Sequence, residues 1–405
     1  MEQQILFRAV VDISILIALA ELASGISTRL KIPRIIGTLL IGILFGPSMI
    51  GGLTLGSRPL IEFNELVYVF SEVGAVFLLF GAGLHMTFGE LRTSGIASMT
   101  VGVLGVVLPY LMGFGATVFL GYDWKIAMII GGSMAATSIA ISLKSLDEMG
   151  KLGSREAKII LGAAVIDDVL ALSLASVILS IIVQGAQVTV IDIVLSVGKT
   201  LLVWFILTAI SVRVVPKIFD YIVMLRVETG RLIEAFSILV CFSYAAFSGI
   251  FGLSPFVGAF IAGMAISDSL YHDKIQEFIE KIELLFVPLF FIVMGTSVNP
   301  SSILHTNFLL ILILCIVAIS SKLVGCGLPC IYLLRDRSCA MRVGYGMISR
   351  GEIGLVIASI GITYSILPDE VYTALILMIF ITSLIPPFLL KKSYQEELTF
   401  EEILQ

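Results

Sequence analysis

The chain has 405 residues, of which 58% are hydrophobic and only 14% charged, with a mean hydropathy of +1.07. That composition lies far outside the range of water-soluble globular domains and excludes one as the whole protein. The formal charge of −5 is small, says little about partners and gives no reason to expect nucleic acid.

Apolar runs of about 20 residues, the length that crosses a bilayer as a helix, recur along the chain. They predict spans over 5–29, 33–50, 63–86, 96–120, 124–144, 154–184, 190–214, 229–250, 253–270, 275–297, 302–333, 339–363 and 368–390, numbered 1 to 13. The first has no basic region and no small-residue cleavage site, so it reads as a retained helix, not a signal peptide. An odd number of spans places the termini on opposite sides. One set of loops holds nearly all the lysines and arginines, among them Arg29, Arg92, Lys151, Arg213, Lys274 and Arg335. The other holds Arg58 and Lys125, with Arg8 ambiguous near the N-terminus. The positive-inside bias therefore puts the N-terminus outside and the C-terminus in the cytoplasm of a multi-pass cell-membrane protein. After Pro386-Pro387 comes only a short charged tail, and no soluble regulatory domain is expected. The cysteines are scattered without metal-ligand spacing and read as packing residues.

The second span reads Pro33-Arg-Ile-Ile-Gly37-Thr-Leu-Leu-Ile-Gly42, and the ninth Pro255-Phe-Val-Gly258-Ala-Phe-Ile-Ala-Gly263. "VFLLFGAGLHM" in span 3 is echoed by "PLFFIVMGTSVN" in span 10, and "GGSMAATSIAIS" in span 5 by "YGMISRGEIGLVIAS" in span 12. Glycines recur in any packed bundle, but matches in the same order point to an internal repeat. Residues 5–184 form one copy, 229–390 the other, and 190–214 a linker helix. Span 2 starts inside and span 9 outside, so the copies are inverted, a transporter architecture. The expected fold is an all-α integral membrane domain covering 1–405, with about 13 helices, two inverted repeats and discontinuous crossing helices.

An ionisable side chain in mid-membrane is unfavourable unless paired or hydrated, and so marks a candidate functional site. "AAVIDDVLAL" puts Asp167 and Asp168 near the middle of span 6. Neighbouring helical residues point about 100° apart. One aspartate can therefore line a water-filled crevice while the other turns to a protein partner. A carboxylate suits a hard monovalent cation, and partial desolvation lets proton and cation compete for it. The site expected is Na⁺ at Asp168, with Asp167 as the alternative ligand. Lys322, in "AISSKLVGCG" of span 11, needs a buried anion, and Asp167 is the natural one. Thr137 and Ser138 in span 5 could coordinate a cation where the helix is locally unwound. Arg350 and Glu352 occupy the matching place in span 12 and could neutralise half-helix ends there. Glu72 could line the pathway or cap a helix. Asp12 and Glu21 are assigned to contacts with partners or a second subunit.

Together "PRIIGTLLIGILFGPSMIG", "VFLLFGAGL", "AATSIAIS", "AAVIDDVLAL", "SPFVGAFIAGMAIS", "SSKLVG" and "SRGEIGLVIA" resemble the monovalent cation:proton antiporter-2 family, the membrane domains of NapA and Kef type. The resemblance covers the chain from span 1 to span 13. It implies core and dimerisation domains, a homodimer and elevator-like alternating access. By motif, Asp168 resembles the ion- and proton-binding aspartate, and Asp167 the neighbour that pairs with the lysine, here Lys322. In that family an Asp-Asp pair goes with electrogenic sodium/proton exchange, whereas Kef-type systems typically carry Gln-Asp and a nucleotide-binding domain. The expected function is exchange of Na⁺ or Li⁺ for H⁺ within a lipid bilayer, without a cofactor. The alternative is a Kef-type K⁺/H⁺ antiporter. A cation channel, a sodium-coupled solute symporter and an ion-responsive receptor rank below these. No nucleophile with a base, phosphate loop or metal cluster is present in the sequence, so an enzyme is not expected.

Overall fold

Long apolar segments can be held in a bilayer by helices because a helix satisfies its own backbone groups. The computed structural model describes residues 2–30, 32–55, 58–89, 95–184, 190–224, 229–251, 253–267, 269, 271–296, 298, 300 and 306–404. The helices are α1 (Glu2–Arg29), α2 (Arg34–Leu44), α3 (Glu65–Leu84), α4 (Gly95–Phe119), α5 (Trp124–Ala135), α6 (Ile139–Glu148), α7 (Arg155–Gln184), α8 (Val190–Met224) and α9 (Thr229–Ile250). They continue with α10 (Pro255–Ser267), α11 (His272–Thr296), α12 (Phe308–Lys322), a π-helical turn (Leu323–Gly327), α13 (Leu328–Leu334), α14 (Arg337–Gly346), α15 (Glu352–Thr363) and α16 (Asp369–Leu404). Strands β1 (Thr54–Leu55) and β2 (Arg58–Pro59) pair antiparallel, Thr54 opposite Pro59. Among the described residues eight helical stretches are long and apolar enough to cross a membrane. The protein is a multi-pass helical membrane protein.

Local chemistry sets the ends. Asn64, Asp123, Asn307 and Asp336 cap α3, α5, α12 and α14, each side chain accepting from a backbone N–H of the first turn. The second span is shorter than its apolar run. It stops at Leu44, because Pro47 disfavours helix in the residue before it, and Ile50–Gly52 forms a 3₁₀ turn. Span 13 runs far past its apolar part, since the charged tail is rich in Lys, Glu and Leu, all good helix formers. Spans 5 and 12 are each interrupted, at 136–138 and 347–351.

The chain divides into two compact units. The first holds 1–87, 210–246 and 258–304, and the second holds 88–209, 247–257 and 305–405. In the first unit glycines bring helices to backbone contact in two matching pairs. A Cβ on Gly42 of α2 would lie 2.1 Å from the Ile292 carbonyl oxygen, and one on Gly295 of α11 would lie 2.2 Å from that of Leu39. A Cβ on Gly263 of α10 would lie 2.2 Å from the Phe80 oxygen, and one on Gly83 of α3 would lie 2.3 Å from that of Phe260. Any larger residue would force these pairs apart.

The first unit also corrects the reading of Asp12. It is buried and bonded to Arg8 Nε at 3.0 Å within the same helix. Arg8 Nη2 donates to the carbonyls of Pro59 and Leu60, and the Glu62 N–H donates to Asp12. The pair therefore pins the 59–62 loop onto α1, and Asp12 is closed to a second subunit. Glu21 and Glu72 are exposed.

In the second unit, Glu156 at the start of α7 meets Arg342 of α14 at 3.1 Å. The guanidinium lies 3.9 Å from the Tyr394 ring centroid, and the Tyr394 hydroxyl donates to Glu156. Arg342 also donates to the Ser393 hydroxyl and carbonyl. This buried cluster clasps α7, α14 and α16 together.

Candidate cation-binding site

The interrupted helices of the second unit meet α7 where its two aspartates lie. Asp167 is 0% exposed and its carboxylate has three donors. The Thr137 N–H reaches Oδ2 at 2.9 Å, the Thr137 hydroxyl reaches Oδ1 at 3.0 Å, and Lys322 Nζ reaches Oδ1 at 3.0 Å. The N–H of Thr137 is available because residues 136–138 are extended between α5 and α6. Lys322, also 0% exposed, sits at the last residue of α12. Its ammonium donates to the Gly105 carbonyl at 2.5 Å, the Thr137 hydroxyl at 2.5 Å and the Ala135 carbonyl at 3.1 Å. It has more oxygens within reach than hydrogens to give. The pair is desolvated yet fully ligated, the condition under which a buried ion pair is tolerated. The Thr137 hydroxyl is a link in this pair, accepting from Lys322 and donating to Asp167.

The two breaks cross each other. The Ser138 N–H donates to the Ser349 carbonyl at 3.0 Å, and the Ser349 hydroxyl returns to the Ser138 carbonyl at 2.5 Å. Ser142 donates to the Gly346 carbonyl, and Ser383 of α16 to the Arg350 carbonyl. The carbonyls of Ser138, Gly346 and Arg350 at the two breaks are thus satisfied by short hydroxyl side chains. Ser138 itself keeps a buried hydroxyl without a hydrogen-bond partner. Arg350 is fully buried. Its Nη2 donates to the Ala318 carbonyl at 2.9 Å, while Nε and Nη1 have no partner. Glu352 opens α15, and its side chain lies outside the described residues.

Asp168 is 7% exposed. The adjacent acids are therefore both buried, Asp167 wholly enclosed in an ion pair and Asp168 with a small exposed remainder. Carboxylate, hydroxyl and carbonyl oxygens gathered in this way suit a hard monovalent cation or a proton.

Of the residues singled out in the sequence, Asp167, Lys322 and Thr137 come together directly. Ser138 and Arg350 lie at the crossing. Lys199 is exposed on α8. The sequence reading missed the carbonyls of Gly105 and Ala135, and Ser349, Ser142 and Ser383. The one available signal for the first of these was Pro109, four residues after Gly105.

Residues 14–391 match the family model described as sodium/hydrogen exchanger, transmembrane. The chain is 31% identical to the Na⁺/H⁺-K⁺ antiporter GerN of Bacillus cereus, covering 96% of this chain and 97% of that one. It is 34% identical to the probable Na⁺/H⁺ antiporter GerT of the same organism, covering 95% and 98%. The sodium proton antiporter MjNhaP1 of Methanocaldococcus jannaschii shares the fold, with a TM-score of 0.69 at 19% identity over 98% of each chain.

Proposed function

The chain belongs to the transmembrane sodium/hydrogen exchanger family, and from that premise we propose that it is a secondary antiporter in which Asp168 alternately holds a monovalent cation and a proton. The protein exchanges Na⁺ for H⁺ across the membrane. The observation that carries the site is a buried Asp168, 7% exposed, next to an Asp167–Lys322 pair that is fully buried and fully ligated. Asp167 is held by Lys322 and Thr137; Asp168 is the neighbouring carboxylate assigned to the cargo, with the Ser138 hydroxyl at the crossing as a buried oxygen without a hydrogen-bond partner. Protons arriving from outside displace the cation from Asp168, and release of the proton inside resets it. Arg350, buried at the second break, offsets the negative partial charge of a half-helix C-terminal end, and Glu352 the positive charge of an N-terminal one.

The finer reading is a member of the monovalent cation:proton antiporter-2 type with thirteen spans, an outside N-terminus and a cytoplasmic C-terminus. The matched glycine pairs support two inverted repeats. Gly42, Leu39, Gly295 and Ile292 correspond to Gly263, Phe260, Gly83 and Phe80, with the same spacing and nearly the same approach. Spans 1–3 and 8–10 contribute to the first unit and spans 4–6 and 11–13 to the second. This fits dimerisation and core domains, with a homodimer working by elevator-like movement of the core.

The test is exchange by purified protein in proteoliposomes. A pH gradient is imposed, and Na⁺, Li⁺ or K⁺ is added while a pH dye is followed. Collapse of the gradient by Na⁺ is the expected result. Collapse by K⁺ alone would keep the site and change the ion, giving the Kef-type reading. No response to any cation in folded protein would overturn the antiporter.

A further inference from the structure

Helix α4 carries a buried proline, Pro109, in its interior. Proline has no N–H, so the carbonyl four residues before it, that of Gly105, loses its helical partner. That oxygen is the one to which Lys322 Nζ donates at 2.5 Å. The other backbone acceptor of Lys322, the Ala135 carbonyl, is freed in a different way. It is the last residue of α5, and helix resumes only at Ile139. Both backbone acceptors of the ammonium are therefore carbonyls that their own helices cannot use. A carbonyl left alone inside a membrane is unfavourable, and an ammonium left alone is more so; here each satisfies the other. Glycine at 105 lets the carbonyl come this near. A Cβ there would lie 2.9 Å from Cys326 Sγ, 3.5 Å from Lys322 Nζ and 3.7 Å from Asp167 Oδ1.

We propose that Pro109 is a positioning residue for cation/proton exchange: by releasing the Gly105 carbonyl it gives the Lys322 ammonium a fixed acceptor beside Asp167. The proposal rests on the antiporter reading above. The charged or titratable groups that face Lys322 are Asp167 of α7, Arg350 of the 347–351 break and Cys326 of the π turn. Substitution at 109 alters none of them. In Pro109→Ala the new N–H competes for the Gly105 carbonyl and draws it back along the helix axis, away from the lysine.

Two measurements on the full chain decide it. The first is thermal unfolding in detergent of wild type, Pro109→Ala, Lys322→Gln and the double variant. The expected effects are not additive, because removing the ammonium removes the reason for the free carbonyl. Additive effects would overturn the proposal. The second is the pH profile of exchange in proteoliposomes. Loss of one charge-assisted hydrogen bond to the ammonium should displace the profile of Pro109→Ala toward acid by about one pH unit. A rate lowered equally at every pH, with the profile in place, would mean that Pro109 only shapes the helix, and would overturn the proposal. Pro109→Val, closer in volume, restores the same N–H and provides the test if the alanine variant fails to fold. If the wild type exchanges no cation, the antiporter reading falls, while the unfolding cycle still decides whether Pro109 supports Lys322.

Discussion

Asp167 and Asp168 are neighbours in sequence with opposite fates. Asp167 is tied to Thr137 and Lys322, and the proposed mechanism assigns the cargo to Asp168. Asp168→Asn removes the titrating charge without unpairing Lys322, so a folded protein with no exchange is expected. Proteoliposome flux together with an unchanged melting profile checks this, and retained flux would remove Asp168 from the site. Asp167→Asn leaves the Lys322 ammonium buried without a counter-charge, which destabilises by about 3–5 kcal/mol. Its melting temperature in detergent should fall well below that of the Asp168 variant. A fall no larger than that variant's would show that the buried pair contributes little. These side chains were legible in the sequence because ionised groups are rare in apolar runs. The carbonyls of Gly105 and Ala135, which hold the lysine just as closely, were not. Every residue has a carbonyl, and only the fold determines which ones are released.

The interruptions of spans 5 and 12 could be read from their small and hydroxyl-bearing residues, because a run such as Ala135-Ala136-Thr137-Ser138 packs closely and offers alternative hydrogen bonds. The π turn after Lys322 left no comparable trace, and the clasp of α7, α14 and α16 joins residues too far apart in sequence to be paired by pattern. That clasp fixes the start of the helix carrying both aspartates. Arg342 is its centre, bonded to Glu156 and Ser393 and stacked on Tyr394. Arg342→Ala strands a buried carboxylate, so a loss of about 3–5 kcal/mol is expected. Adding Glu156→Gln should restore much of it by removing the stranded charge. Detergent melting of the two single variants and the double variant measures this, and no rescue would mean that Arg342 acts by packing alone.

At the scale of the molecule, the division of each predicted repeat after its third span was not visible in the sequence. Helix partners across such distances are chosen by packing, and only the glycine positions hinted at it. The same architecture sets how much charge the protein moves. A cation alternating with a single proton on Asp168 moves no net charge. A second proton carried inward per cation would move one, and Lys322, bonded to Asp167 and fully buried, is the group placed to carry it. One charge crossing 100 mV is worth about 2.3 kcal/mol, enough to sustain roughly a 50-fold cation gradient. The expected result is that a negative interior potential, imposed with no pH gradient, drives Na⁺ out of proteoliposomes of the wild type. In Lys322→Gln the same potential should drive nothing, while any exchange that persists still responds to a pH gradient. Potential-driven flux retained by that variant would assign the second proton elsewhere, and wild-type flux indifferent to potential would make the exchange one-for-one, with Lys322 a fixed counter-charge to Asp167.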